Sequence, residues 1–219
     1  MKLGKYNVTV YPSAEAGRPA VYLNVFGKEG QAAHELLQSA GCDCTLVVIG
    51  GLNWQRDMVP WDAPSPFFAG GTLTGGAEEY LHTLTEQILP AAEERLPAPP
   101  SLRAIAGYSL GGLFALYAVF RSSAFSRFAS VSGSLWFPGI VRFVQENLPK
   151  AELACACFSL GEKESHTRNR VLSAVEGNTE QIADCFRARG TKTYFVRNPG
   201  GHTCDCAART AADILRMLQ

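Results

Sequence analysis

Two hydrophobic rhythms alternate along the chain. Residues 6–11 alternate apolar and polar positions and include β-branched side chains, the period-two pattern of a strand, placed at an edge. After a turn at 13–19, residues 20–26 predict a second strand, paired with the first as a hairpin and ending at Gly27. Ala33, Leu36, Leu37 and Ala40 recur at helical spacing and predict a helix over 29–40. Residues 44–49 form an unbroken apolar run, as expected of a central strand covered on both faces. Residues 50–76 follow neither rhythm. Residues 77–96 predict a helix that Pro90 kinks or divides, and 97–100 a stiff connector too short to link domains. Then come a strand (102–106), an apolar helix (113–120), a short strand (128–131), a helix after Pro138 within 134–147, a strand (153–160), a long helix (168–189), a strand (193–196) and an amphipathic helix (203–218). Strands alternating with helices predict an α/β fold with a mostly parallel central sheet and helices on both faces, in one domain over 1–219. Ligands in such sheets bind outside the carboxyl ends of the strands, and Ser109, Gly161 and His202 each follow a predicted strand.

The junction at 105–112 carries the strongest chemical signal. Gly107-Tyr108-Ser109-Leu110-Gly111 has the spacing of a nucleophile elbow, with a strand before it and a helix after it. A serine raised clear of a sheet edge needs a sharp, strained turn. Strand and helix then pass so closely that small residues are needed at 107 and 111. The competing interpretation makes Ser109 only a helix cap.

Composition narrows the field. The 219 residues are 47% hydrophobic, enough for a sizeable core. Net charge is zero with no basic stretch, so nucleic acid is not an expected partner. No apolar run reaches membrane-spanning length. Residues 1–6 lack the apolar core of a signal peptide, so a cytoplasmic location is expected. Six of seven cysteines form three Cys-x-Cys pairs, at 42/44, 155/157 and 204/206. Zinc motifs usually space cysteines by two to four residues, so no metal site is expected and the thiols read as small buried hydrophobes in a reducing compartment.

A serine hydroxyl needs a base. Of four histidines, His34 and His82 lie inside predicted helices and His166 follows the Gly161 strand. His202 sits in Asn198-Pro199-Gly200-Gly201-His202, between the last strand and the last helix. That placement satisfies the chain order serine, acid, histidine. The acid belongs after the intervening strand, where Glu162 and Glu164 both qualify. The alternative for each of these residues is a helix cap or a solvated loop carboxylate.

Four separated motifs carry a resemblance. Gly107–Gly112, then Val131-Ser132-Gly133-Ser134-Leu135-Trp136, then Arg56-Asp57-Met58-Val59-Pro60 and the Gly-Gly-His turn are together similar to the putative-esterase branch of the α/β-hydrolases. That branch includes esterase D, feruloyl esterases, mycolyltransferases and the enterobactin and siderophore esterases, and the last group is the most alike. The chain has Val59 where relatives carry threonine, and Phe26 before Gly27 where they often carry Asp or His.

The resemblance implies a serine hydrolase cleaving a carboxylic ester, without metal or organic cofactor. Ser109 would be the nucleophile, His202 the base and Glu164 the acid. Leu110 and Lys28 would give the oxyanion N–H groups, and Arg56 a substrate contact. An acyltransferase or thioesterase on the same residues, or a binding protein that keeps the fold, are the alternatives. Residues 133–152 are too few for a separate lid domain, so an open, shallow site is expected, bordered by Trp136 and the aromatic loop 54–68 and able to take a bulky group. The expected partner is a small-molecule ester.

Overall fold

The computed structural model describes residues 1–67 and 70–219; Phe68 of the aromatic loop lies outside them. The chain opens with β1 (Lys2–Leu3), β2 (Tyr6–Tyr11), β3 (Ala20–Asn24), α1 (Glu29–Ser39) and β4 (Thr45–Gly50). The strands do not form the expected hairpin. β4 lies between β2 and β3, antiparallel to the first and parallel to the second. The physical reason lies in β4, whose Leu46 to Ile49 are almost fully buried and need a neighbouring strand on each side. β2 is not the outermost strand either, because β1 pairs antiparallel along it. In α1, Ala33 and Leu37 are buried, but Leu36 faces solvent.

The interval expected to lack regular structure holds one helical turn, α2 (Trp54–Asp57), and a two-residue antiparallel pair, β5 (Ala63–Pro64) and β6 (Thr72–Leu73). Asp57 anchors it from a buried position. Its carboxylate accepts from Lys5 Nζ (2.8 Å) and the Asn53 N–H (2.9 Å). Next come α3 (Ala77–Thr83), a wide π turn at Leu84–Ile88, and α4 (Leu89–Glu93). Pro90 causes the irregularity: it has no N–H for the preceding turn, and the extra residue of the π turn takes up the mismatch.

The rest alternates as expected: β7 (Arg103–Tyr108), α5 (Leu110–Arg121), β8 (Arg127–Val131), α6 (Ile140–Glu146), β9 (Cys155–Gly161), α7 (Arg170–Ser173), α8 (Val175–Ala188), β10 (Lys192–Asn198) and α9 (Cys206–Leu218). The single helix expected over 168–189 is two, divided at Ala174. Asn169 caps the first, accepting from the N–H groups of Val171 and Leu172. The strand order β1-β2-β4-β3-β7-β8-β9-β10, parallel from β4 onward, is that of an α/β-hydrolase sheet.

Alternate side chains of each strand enter two cores. One, with Tyr22, Ile49, Ile105 and Phe158, is closed by α3, α5 and α8. The other, with Leu23, Val48, Ala106 and Val131, is closed by α1 and α9. Between β8 and β9 the described residues form one helix, α6, and no separate lid domain is seen among the described residues. Cys44, Cys155 and Cys157 are buried as expected, whereas Cys204 is exposed.

Candidate active site

β7 ends and α5 begins at Ser109, which holds φ 56° and ψ −121°. Few side chains tolerate this region, and the turn is fixed from both sides. The Ser109 N–H donates to Val131 O (3.0 Å), and Ser109 O accepts from the Ser134 N–H (2.9 Å). A Cβ at Gly107 would lie 2.4 Å from the backbone carbon of Gly111. Strand and helix therefore cross where only glycine fits. α5 starts at Leu110, whose N–H belongs to the first turn and has no acceptor four residues back.

The turn after β10 brings His202 over this serine. His202 Nε2 lies 3.0 Å from Ser109 Oγ, and Nδ1 lies 2.7 Å from Glu164 Oε2. An ionised carboxylate only accepts, so Nδ1 carries the proton toward Glu164 and Nε2 is left to accept from the serine hydroxyl. The imidazole is 42% exposed while Glu164 is 4% exposed, so the relay runs from an open mouth to a dry interior.

Burial by itself would raise the Glu164 carboxyl. Hydrogen bonds from His202 and the Gly161 N–H, the charge of His202 and the Ser132 hydroxyl outweigh it and hold the carboxyl below its usual range. The Gly161 N–H (2.5 Å) and Ser132 Oγ (2.8 Å) both donate to Oε1, opposite the histidine. Glu162 is exposed on the same turn and does not reach His202.

The structure brings Trp136 to the site. A cleft of about 160 Å³ opens at Ser109 and is lined by Phe67, Trp136, Leu172, Val175 and Thr167, beside Ser134 and Gly133. Phe67 meets Trp136 edge-on at 5.7 Å. The cleft is narrower than the shallow site expected, because α7 and the start of α8 wall it with Leu172 and Val175.

Arg56 is not brought to the cleft. Its guanidinium donates to Glu79 (2.5 Å) and leans on Asp57 at 3.5 Å. Lys28 is exposed at the N-cap of α1. Just before it, the N–H groups of Phe26 and Gly27 donate to the Glu29 carboxylate at 2.8 and 2.9 Å, which fixes this loop. The loop runs beside the elbow, since a Cβ at Gly111 would lie 3.4 Å from Asn24 O.

A family model described as "Putative esterase" matches residues 4–204. The chain belongs to this family. It is therefore an esterase, and neither the transferase nor the binding-protein alternative is favoured. It is 27% identical over 188 residues to the "Uncharacterized protein YbbA" of Bacillus subtilis (strain 168), over 82% of this chain and 75% of that protein. Among solved structures it is similar to an IroE-like serine hydrolase from Shewanella oneidensis, with a TM-score of 0.77 at 20% identity over 95% of this chain and 74% of that one. It is also similar to the siderophore hydrolase EstB from Aspergillus nidulans, with a TM-score of 0.71 at 21% identity over 97% and 94%. Both likenesses establish the α/β-hydrolase fold.

Three neighbours of this esterase's site escaped the sequence reading: Tyr108, Ser132 and Arg209. Tyr108 Oη donates to His202 O (2.5 Å), supporting the histidine turn from below. Burial pushes the Tyr108 hydroxyl up, so it keeps its proton and remains a donor. Ser132 stands at φ 42°, turned toward Glu164. Arg209 is a buried cation on α9. Its signal was available, since Arg209 and Asp213 share a helix face with Ile214 and Met217 where apolar residues are expected.

Proposed function

We propose that this esterase is a serine hydrolase in which Ser109 attacks the acyl carbon, His202 takes the serine proton and Glu164 orients His202. The observation that carries this reading is the unbroken line from Ser109 Oγ through His202 to Glu164 at the mouth of an apolar cleft. As the tetrahedral intermediate forms, its oxygen carries the charge. The N–H groups of Leu110 and Lys28 receive that charge. One such donor is worth about 2.7–4 kcal/mol in the transition state. His202 then gives the proton to the leaving alcohol. Water, deprotonated by His202, attacks the acyl-serine and releases the acid.

The cleft is sized for one compact apolar group, since a cavity of about 150 Å³ holds a benzene ring. The rest of a bulky ester lies outside, over the exposed side. That the similar EstB is a siderophore hydrolase supports a siderophore-type ester among the bulky candidates. We place the protein in a reducing, cytoplasmic setting as one domain over 1–219, acting on small-molecule esters.

The test is Ser109→Ala, followed by turnover of p-nitrophenyl esters of graded chain length and of siderophore trilactones. Loss should be on the order of 10³-fold or more with the fold intact. Substantial hydrolysis by the purified variant would remove Ser109 from the mechanism.

A further inference from the structure

Behind the proposed relay lies a charge that the mechanism above does not use. Arg209 is 4% exposed, on the first turn of α9. Its Nη1 faces Ser132 Oγ at 3.2 Å, Glu164 Oε1 at 3.4 Å and Tyr108 Oη at 3.4 Å. Its Nη2 donates to Pro199 O at 2.6 Å. Each contact belongs to a different part of the site. Ser132 follows β8, Glu164 follows β9, Tyr108 ends β7, and Pro199 begins the turn that carries His202. A Cβ at Gly161 would lie 3.0 Å from Nη1 and 2.5 Å from Gly200 O, so the acid turn and the histidine turn close over the guanidinium with no room to spare. Burying a cation is costly unless it is paired and fully hydrogen-bonded, and here the partners are the parts of the relay.

We propose that Arg209 is a positioning residue that locks the Glu164 turn to the His202 turn and draws the carboxylate charge toward Oε1. This deepens the serine-hydrolase reading and rests on it. The fork does two things. It sets the separation of acid and base, because Pro199 O and Glu164 Oε1 are held by one rigid plane. It also places a second positive charge on the carboxylate, on the side away from His202, so the carboxylate stabilises an imidazolium less strongly. Other ionisable groups near the pair are Tyr108, with its ring 5.6 Å from that of His202, Cys206 beside Tyr108, Cys204 and Asp205 in the loop before α9, and Glu162 and Lys163 on the exposed turn. Among the described residues, Arg209 is the buried cation at Oε1.

The experiment compares Arg209→Met and Arg209→Lys with the parent enzyme, with turnover expressed per Ser109 titrated by a fluorophosphonate. In Arg209→Met, kcat should fall about 10²-fold, the scale of an ångström of misplacement, and KM should barely change because Arg209 does not line the cleft. Loss of the positive charge beside Glu164 should move the acid limb of kcat/KM against pH upward. Arg209→Lys keeps the charge but not the fork, so its acid limb should stay while kcat falls by less. Parent-level kcat per titrated serine in Arg209→Lys overturns the inference, whether or not Arg209→Met folds. A reduced kcat with an unmoved acid limb in a folded Arg209→Met overturns its electrostatic half. If the fluorophosphonate fails to label Ser109 in the parent enzyme, the serine-hydrolase reading itself falls instead.

Discussion

Glu164 and Glu162 are two residues apart on one turn, and only their surroundings distinguish them. Glu164 accepts from Ser132, the Gly161 N–H and His202, whereas Glu162 points to solvent. Glu164→Gln keeps the shape but presents a neutral amide that fits the required histidine tautomer poorly. Its kcat should fall on the order of 10³–10⁴-fold, as for other acids of this kind. Glu162→Gln should stay near parent activity. Steady-state rates of the two purified variants decide the matter, and the reverse ranking would move the acid two residues back. The sequence narrowed the acid to these two because a glycine-ended strand lies between serine and histidine. It could not choose by spacing alone, since the hydrogen bonds that separate them come from Ser132 after β8, from the Gly161 N–H at the end of β9 and from His202. Arg56 is the opposite case. Its motif was legible, but its place was not, because Glu79 on α3 claims the guanidinium from 23 positions away.

At the scale of elements, local signals were legible and non-local pairing was not. The elbow was readable because its strain and its close crossing fall within five residues, and β4 because burial on both faces leaves a run from Leu46 to Ile49 with no polar position. The insertion of β4 between β2 and β3 depends on residues some 40 positions apart, which no periodicity records. The break between α7 and α8 is similar, because Asn169 earns its place through tertiary contacts. Besides capping α7, its Nδ2 donates to Pro66 O at 3.0 Å, tying the loop that carries Phe67 to the wall that carries Leu172. Asn169→Asp keeps the capping oxygen but loses this donor. The helix should persist, the loop should loosen, and KM for esters with a compact apolar group should rise several-fold with kcat little changed. A chain-length series of p-nitrophenyl esters measures this. An unchanged KM across the series would mean that Phe67 holds its position without the tie.

Across the whole molecule, the proposed machinery converges at the carboxyl edge of the sheet, while carboxyls both there and elsewhere in the fold set the response of stability to acid. Arg121 and the Tyr117 hydroxyl hold Glu78 below its usual range against burial. Burial raises Glu93 and Glu164, but Arg103 and Tyr22 outweigh it at the first and His202, Gly161 and Ser132 at the second. Arg197 and Ser165 lower Glu176. Asp213 runs the other way. Burial lifts it more than Ser159 and Arg216 lower it. A carboxyl depressed in the folded state binds its proton more weakly there than in the unfolded chain. Its stabilisation is complete above the unfolded glutamate pKa of about 4.3 and is lost as pH falls through the folded value. A raised carboxyl has the opposite slope. Six depressed carboxyls, the exposed Asp43 and Glu79 included, against one raised group predict a net fall in stability as pH drops below about 4.3. The larger share should come from Glu164 and Glu93, because solvent screens the exposed Glu78 pair. Asp213→Asn removes the opposing contribution, so its fall should be steeper than that of the parent. Thermal unfolding followed from pH 7 to pH 3 measures both slopes. Constant or rising parent stability below pH 4, or a shallower fall in Asp213→Asn, would show that these carboxyls do not govern the acid response.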